Sequence, residues 1–125
     1  MASLTEVKGI VVVVEGRVDL ALRQVARTHH LSILKAPSAR VAYRAVLCLH
    51  PRLIIVQVSH VTGEALEFIR LVINSAAPAP LLAVATTHTD KIERAARNAG
   101  AAWYLDNASS PVVDEVLARL MSRES

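Results

Sequence analysis

Short, continuous runs of apolar residues alternate along the chain with longer segments whose apolar residues recur every three or four positions. The runs are typical of strands covered on both faces, and the longer segments are typical of helices that bury one face. Five strands are predicted, at 9–14, 31–36, 53–56, 81–85 and 102–105. Five helices are predicted, at 17–29, 38–49, 64–75, 90–100 and from 110 onward.

Strict alternation of strand and helix predicts a parallel sheet with helices on both faces, joined by right-handed crossovers. We expect a flavodoxin-like, doubly wound (βα)5 sandwich with strand order 2-1-3-4-5. The runs at 10–14, 53–56 and 81–85 should be central, because they are continuously apolar. Residues 1–125 are expected to form a single domain.

Local signals indicate where two of the helices begin and end. Ser38 is a good N-cap for the second helix. Asp90 with Glu93 three residues later resembles a capping box at the start of the fourth helix, and Gly100 is suited to its end. These signals predict the boundaries of the second and fourth helices.

The second helix is expected to point its apolar residues inward, namely Val41, Ala42, Ala45 and Leu49. Cys48 lies on the same helix and is the only cysteine, which excludes an intrachain disulfide and a CxxC motif. We expect Cys48 to behave as a small buried apolar residue.

Composition narrows the class of protein. Apolar residues make up 53% of the chain and aromatic residues 3%, so the chain should fold around an aliphatic core. The formal charge is +3, with cations spread along the chain, and the sequence contains neither zinc-finger spacing nor an aromatic RNA-binding signature. A nucleic acid is therefore not the expected partner, and the charge weakly favours an acidic one.

Two arginine pairs have the i,i+4 spacing of one helical face, Arg23/Arg27 and Arg40/Arg44. They form either a solvated face or an anion-binding face. Because no apolar run is long enough to span a bilayer and no signal-peptide pattern follows the first one, we expect a cytoplasmic protein without a membrane partner.

Chemistry in such sheets occurs at the carboxyl ends of the strands, beside the topological switch point. The residues at these ends are Val14, Glu15, Gln57, Thr86 and Asn107. Thr86 and Gln57 could bond to each other across this pocket, or each could face water.

Three segments resemble the receiver domains of bacterial response regulators. Residues 51–57, PRLIIVQ, resemble Pro-Asp-Leu-Ile-Ile-x-Asp, which carries the phosphoacceptor aspartate of that family. Residues 82–90, LAVATTHTD, resemble the fourth strand with its hydroxyl residue, and residues 99–108, AGAAWYLDNA, resemble Ala-Gly-Ala-x-x-Tyr-Leu-x-Lys-Pro. The resemblance covers nearly the whole chain.

Carried over position by position, the resemblance implies a degenerate phosphorylation site. Gln57 replaces the nucleophile, and a neutral amide cannot form an acyl phosphate. Val14 and Glu15 take the places of the two metal-binding acids, Asn107 takes that of the lysine, and Thr86 keeps the hydroxyl. The resemblance thus implies a non-enzymatic pseudo-receiver without metal or cofactor.

The resemblance also implies signalling through protein contact, with a signalling protein or an output domain as partner, or as a homodimer. Receivers use a switch face formed by the fourth helix, fifth strand and fifth helix. Its residues here are Lys91, Arg94, Arg97, Trp103, Tyr104, Asp114, Glu115 and Arg119. Trp103 and Tyr104 are adjacent on a strand and should point to opposite faces of the sheet.

A different class of function remains open at this stage. The vacated pocket could bind a small ligand, or Glu15, His60 and His88 could form a metal site or the site of a small enzyme. Their spacing follows no known ligand motif.

Overall fold

In the computed structural model, which describes residues 9–14, 16–75, 79–108 and 112–122, the apolar runs form five strands. They are β1 (Ile10–Val13), β2 (Ser32–Lys35), β3 (Ile54–Val58), β4 (Leu81–Ala85) and β5 (Trp103–Leu105). Every pairing is parallel, and the order across the sheet is β2-β1-β3-β4-β5. The predicted fold class and strand order are confirmed.

Helices cover both faces of the sheet. They are α1 (Leu20–Thr28), α2 (Ala39–Leu49), α3 (Glu64–Ile73), α4 (Asp90–Ala99) and α5 (Val112–Ser122). One core lies between the sheet and α2, α3 and α4, and its largest member is Phe68, which is fully buried. The other core lies between the opposite face and α1 and α5. The sheet is therefore the middle of three layers.

Burial along the strands follows their place in the sheet. Every residue of β1, β3 and β4 is buried, as expected for central strands with helices on both faces. β2 is an edge strand, and three of its four residues are exposed. The continuously apolar runs are therefore the strands that the helices cover on both sides.

Several boundaries differ from the predicted ones by one to three residues, and three differences matter for the site and its helices. β3 continues to Val58, so that Gln57 lies inside the strand, whereas the pattern placed it in the following loop. α1 begins at Leu20 instead of residue 17, because the carboxylate of Asp19 caps the helix by accepting from the backbone N–H of Ala21 at 2.7 Å. The predicted capping box of α4 is wrong by one residue, since Thr89 is the N-cap.

The inward direction predicted for three residues of α2 is wrong. Val41 and Leu49 are 45% and 37% exposed, and Ala45 is partly exposed. Cys48 is exposed as well, which contradicts the expectation of a buried thiol. α2 packs beside α3 and above the edge strand β2, so none of the described helices covers its other side. The N-cap predicted at Ser38 is confirmed, with its hydroxyl accepting from Val41 at 3.3 Å.

Among the described residues, no helix is both long enough and apolar enough to cross a bilayer.

Candidate functional site

Gln57 is the residue that distinguishes the carboxyl edge of the sheet. It is 3% exposed and is the only polar residue buried among those the structure describes. Its strand lies between β1 and β4, and side chains alternate between the two faces. Because Leu53 and Ile55 pack on the α1 and α5 side, Gln57 points to that side too, at the place where β1 leads into α1.

Both ends of the Gln57 amide are hydrogen-bonded to the loop between β1 and α1. Its Oε1 accepts from the backbone N–H of Asp19 at 2.8 Å, and its Nε2 donates to the backbone carbonyl of Arg17 at 2.8 Å. A primary amide can make this pair of bonds because it carries an acceptor and a donor, whereas an ionised carboxylate can only accept. We refer to this pair of hydrogen bonds as the Gln57 lock.

The lock also fixes the start of α1. The backbone N–H of Asp19 donates to the Gln57 side chain, and the Asp19 carboxylate caps the first turn of the helix. Gly16 has a φ of 72°, a left-handed conformation that favours glycine and lets the loop turn toward the helix. One buried amide thus connects β3, the loop and α1.

Thr86 does not bond to Gln57. Its hydroxyl donates to the Ser59 hydroxyl at 3.2 Å, and its backbone N–H donates to the carbonyl of Val58 at 3.1 Å. In the β3–β4 register Gln57 is opposite Val84, which places Thr86 beyond it along the edge. The polar residues after β3 and β4 therefore satisfy one another, and Gln57 is satisfied by the β1–α1 loop.

The described residues among the remaining predicted positions, Val14 and Asn107, do not supply the charges of a phosphorylation site. Val14 is apolar and buried, and Asn107 is an exposed amide that donates to the Asp106 carboxylate at 3.2 Å. Glu15 lies outside the described residues. The described part of the donor set does not fit Mg²⁺, which prefers carboxylate oxygens, because Val14 offers none and the Gln57 oxygen is already used.

The alternative metal site is not assembled from the described residues. Across the ranges that the structure describes, no three His, Cys, Asp or Glu side chains come close enough to hold a metal ion. His60 is exposed in the loop after β3, and His88 bonds to Tyr104. Glu15, the third member, lies outside the described residues, so the complete set stays a hypothesis.

Tyr104 is the centre of a second polar cluster, on the α4 side of β5. Its hydroxyl lies 2.8 Å from His88 Nδ1, and the Arg97 guanidinium lies 6.0 Å from its ring centroid. Burial raises the pKa of Tyr104, the carboxylates of Glu93 and Asp106 raise it further, and Arg97 acts in the opposite direction. The phenol therefore stays protonated near neutral pH and can donate to His88.

An open cleft of about 350 Å³ lies beside this tyrosine. Its walls come from the loop before α4, from α4, from β5 and from the start of α5, namely His88, Glu93, Tyr104, Leu105, Asp106 and Val112. The cleft gives the predicted switch face a concave centre.

The other residues of the predicted switch face differ in their contacts. Lys91, Arg94, Glu115 and Arg119 are exposed. Asp114 contacts His29, the C-cap residue of α1, at 2.8 Å, and Arg97 pairs with Glu93 at 3.1 Å.

The predicted opposite directions of Trp103 and Tyr104 are confirmed. Trp103 packs against the core of α1 and α5, and Tyr104 packs against the core of α2, α3 and α4. Tyr104 is therefore the aromatic residue beside α4.

Sequence reasoning missed two polar contacts that position the site. The Gln57 bonds go to backbone atoms of a loop, which no residue pattern encodes. The Glu64 carboxylate accepts from the backbone N–H of Ala39 at 2.7 Å and so joins α3 to the start of α2. The only signal was a carboxylate placed in the first turn of α3.

Comparison with solved structures identifies the fold. A response regulator from Thermotoga maritima superposes with a TM-score of 0.63 at 18% identity, over 93% of this chain and 98% of that chain. The BeF3-activated N-terminal receiver domain of RstA from Klebsiella pneumoniae gives 0.68 at 17%, over 93% and 99%. The chain has the receiver fold. The receiver domain of the putative response regulator NarL from Mycobacterium tuberculosis, at 0.66 and 17% over 92% and 96%, agrees.

Sequence comparison adds nothing to this likeness. No protein-family model matches the chain, and no curated protein matches its sequence at a significant level. At such identities the likeness establishes the receiver fold alone. What this receiver fold does must therefore be argued from its own residues.

Proposed function

We propose that this chain is a phosphorylation-independent receiver domain, spanning residues 1–125, that acts in signal transduction through contact with another protein. The observation that carries the proposal is the Gln57 lock. The side chain at the phosphoacceptor position is a buried amide whose oxygen and nitrogen are both bonded to the β1–α1 loop.

The residues at this edge argue against phosphoryl transfer. The amide nitrogen of Gln57 shares its lone pair with the carbonyl group and is a poor nucleophile. Phosphoryl transfer needs positive charge beside the transferred group, and Asn107 is neutral where the receiver family has a lysine. The domain is therefore proposed to bind a partner, without enzymatic activity.

The lock also supports a single fixed conformation. A receiver that responds to phosphorylation needs two states of comparable free energy, and an added group shifts the balance between them. Gln57 makes its loop contacts without any added group. We infer that the signal is the presence of the folded domain, and that its level in the cell sets the output.

Partner contact is proposed at the face formed by α4, β5 and α5. This face has a concave centre beside Tyr104 and carries charges of both signs. A signalling protein or output domain could dock there, and so could a second copy, with the cations of one α4 against the acids of the other α5. Exposed ion pairs contribute only about 0–1 kcal/mol each, so Tyr104 is expected to supply the main apolar contact.

Phosphorylation is tested by intact mass after incubation with Mg²⁺ and a small phosphodonor. No stoichiometric phosphoryl adduct is expected on the parent chain. The Gln57→Asp variant should gain little labelling, because the lysine is still missing. Efficient labelling of the parent at any aspartate would refute the proposal.

The contact face is tested by light scattering and by binding to an identified partner. Tyr104→Ala and Arg97→Glu are expected to weaken association, whereas Arg70→Glu, an exposed charge reversal on α3, is the control. If the two variants stay folded and associate as the parent does, this face is not the functional one.

A further inference from the structure

Asp and Glu are absent between Asp19 and Glu64, a stretch that contains α1, β2, α2 and β3. The same stretch has six exposed cations, namely Arg23, Arg27, Lys35, Arg40, Arg44 and Arg52. Because the whole chain is +3, the rest of it sums to −3. The cations are spread along the chain, but the acids are confined to the parts outside this stretch.

The fold turns this sequence asymmetry into a charged end of the molecule. β2 and β1 are neighbours at one edge of the sheet, and α1 and α2 cover that edge on opposite faces. A surface with one sign of charge attracts partners of the opposite sign from a distance. The β2 edge of the domain is therefore a mainly cationic end, and the acid that reaches it from α3 is Glu64, at the start of α2.

α2 adds an uncovered apolar stripe to this end. Val41, Ala45, Cys48 and Leu49 follow one another at i, i+4, i+7 and i+8, so they share one side of the helix. None belongs to either buried core, and Val41 and Leu49 are 45% and 37% exposed. We call these four residues the α2 flank.

Two arginines border the α2 flank. Arg44 lies three residues after Val41 and four before Cys48, and Arg40 lies one turn earlier. In α3 and in α4, an arginine pairs with a glutamate of the same helix; the pairs are Arg70–Glu67 and Arg97–Glu93. α2 contains no acid, so no such pair can form within it. The stripe thus has cations along its margin and apolar side chains along its centre.

We propose that the α2 flank docks an amphipathic helix of a partner protein whose polar margins are acidic. Such a helix would place its apolar residues on Val41 and Leu49 and its carboxylates against Arg40 and Arg44. A symmetric contact with a second copy is disfavoured, because it would bring the arginines of two α2 helices together. A nucleic acid would use the arginines but would leave the apolar stripe uncovered. This site goes beyond the proposed function and does not depend on the Gln57 lock.

The probe is a synthetic helical peptide of about 18 residues, with leucines along one face and glutamates on both margins. Its control is the same peptide with glutamine in place of glutamate. Binding is measured by fluorescence anisotropy at physiological and at high salt. The acidic peptide should bind at least about tenfold more tightly than the glutamine peptide, and added salt should remove most of that difference.

Variants then locate the site. Val41→Ser with Leu49→Ser, and separately Arg40→Glu with Arg44→Glu, should each weaken binding at least about tenfold. Arg23→Glu with Arg27→Glu makes the same charge change on α1, across the sheet, and should weaken it only about twofold. Thermal unfolding confirms that each variant is folded.

Four results would overturn the proposal. The first is equal binding of the acidic and glutamine peptides, and the second is peptide-induced NMR shifts that fall outside α2. The third is duplex DNA that binds more tightly than the acidic peptide, which would assign the surface to a nucleic acid. The fourth is a stable oligomer that Arg40→Glu with Arg44→Glu abolishes, which would assign the surface to a second copy.

Discussion

Replacing Gln57 by leucine is expected to destabilise the domain and loosen the β1–α1 loop. Leucine is similar in size, so the change removes the hydrogen bonds while leaving the packing of β3 nearly intact. The Asp19 N–H and the Arg17 carbonyl each lose the partner that the lock supplies. The loop then loses the contacts that hold it to the sheet edge.

The magnitude follows from the two bonds. Each intramolecular hydrogen bond contributes about 0.5–1.5 kcal/mol net, so the pair is worth about 1–3 kcal/mol. Arg17 is exposed and its carbonyl can bind water, whereas Asp19 is only partly exposed and its N–H is harder to satisfy. We expect a loss of about 2 kcal/mol, or roughly 6–10 °C in Tm for a domain of this size.

Urea unfolding measures the loss, and amide hydrogen exchange locates it. The midpoint should fall with the slope m unchanged, and exchange should rise first at Asp19. Gln57→Glu is the matched comparison, because at neutral pH it keeps an acceptor for Asp19 and places a carboxylate against the Arg17 carbonyl. When protonated, the same group could donate to that carbonyl again.

The Gln57→Glu variant should therefore depend on pH in a direction set by the lock. Burial and the facing carbonyl should raise the folded-state pKa of the new carboxyl above its ordinary value of about 4.3. Its protonated form is then favoured in the folded state. The stability of Gln57→Glu relative to the parent should be highest below the unfolded-state pKa of about 4.3. It should fall as the pH rises from there through the folded-state pKa. An unchanged midpoint in Gln57→Leu, or parallel pH curves for Gln57→Glu and the parent, would refute the lock.

Gly100→Ala should cost roughly 2–4 kcal/mol by urea unfolding, because its φ is 123° and the added methyl would lie 2.9 Å from a side-chain carbon of α3. Gly16→Ala, with a φ of 72° and no atom within 4 Å, should cost about 1–2 kcal/mol; equal losses would exclude the contact as the cause. Thr89→Ala should lower the free energy of unfolding by about 0.5–2 kcal/mol, and Asp90→Ala should lower it by less than about 1 kcal/mol. A larger loss in Asp90→Ala would instead support the predicted capping box that begins at Asp90. Tyr104 should ionise above pH 10, since burial and nearby carboxylates raise its pKa. The contribution of the Tyr104 phenol to stability should be full below pH 10 and should be lost as the pH rises through the folded-state pKa. The difference in tyrosinate absorbance between the parent and Tyr104→Phe measures the ionisation of Tyr104. Ionisation below pH 10 would contradict the prediction.

Apolar runs predicted the sheet because doubly covered strands leave a continuous signal. β4 was predicted with its observed bounds, and the three continuously apolar runs were correctly predicted to be the central strands. The end of β3 was predicted two residues too early, since a glutamine after an apolar run resembles a strand end. Hydrophobic patterns do not distinguish a polar residue buried with its partners from one that faces water.

The candidate site was predictable in part. The spacing of the strands placed Gln57 and Thr86 at one edge of the sheet, but their partners are loop backbone and Ser59. α2 shows the converse failure. The apolar residues of α2 extend around more of the helix than the part that is buried. The sequence does not reveal that none of the described helices packs beside Val41 and Leu49.

The β2 edge carries more positive charge than the rest of the domain, which makes the domain an electric dipole and affects concentrated solutions. At about 10 mM ionic strength the Debye length is about 30 Å, comparable with the diameter of a domain of this size. The cationic β2 edge of one molecule then attracts the acids that lie outside this edge on another, although both molecules carry a net charge of +3. The osmotic second virial coefficient should therefore rise with added salt, and the protein should be more soluble in moderate salt than in dilute buffer.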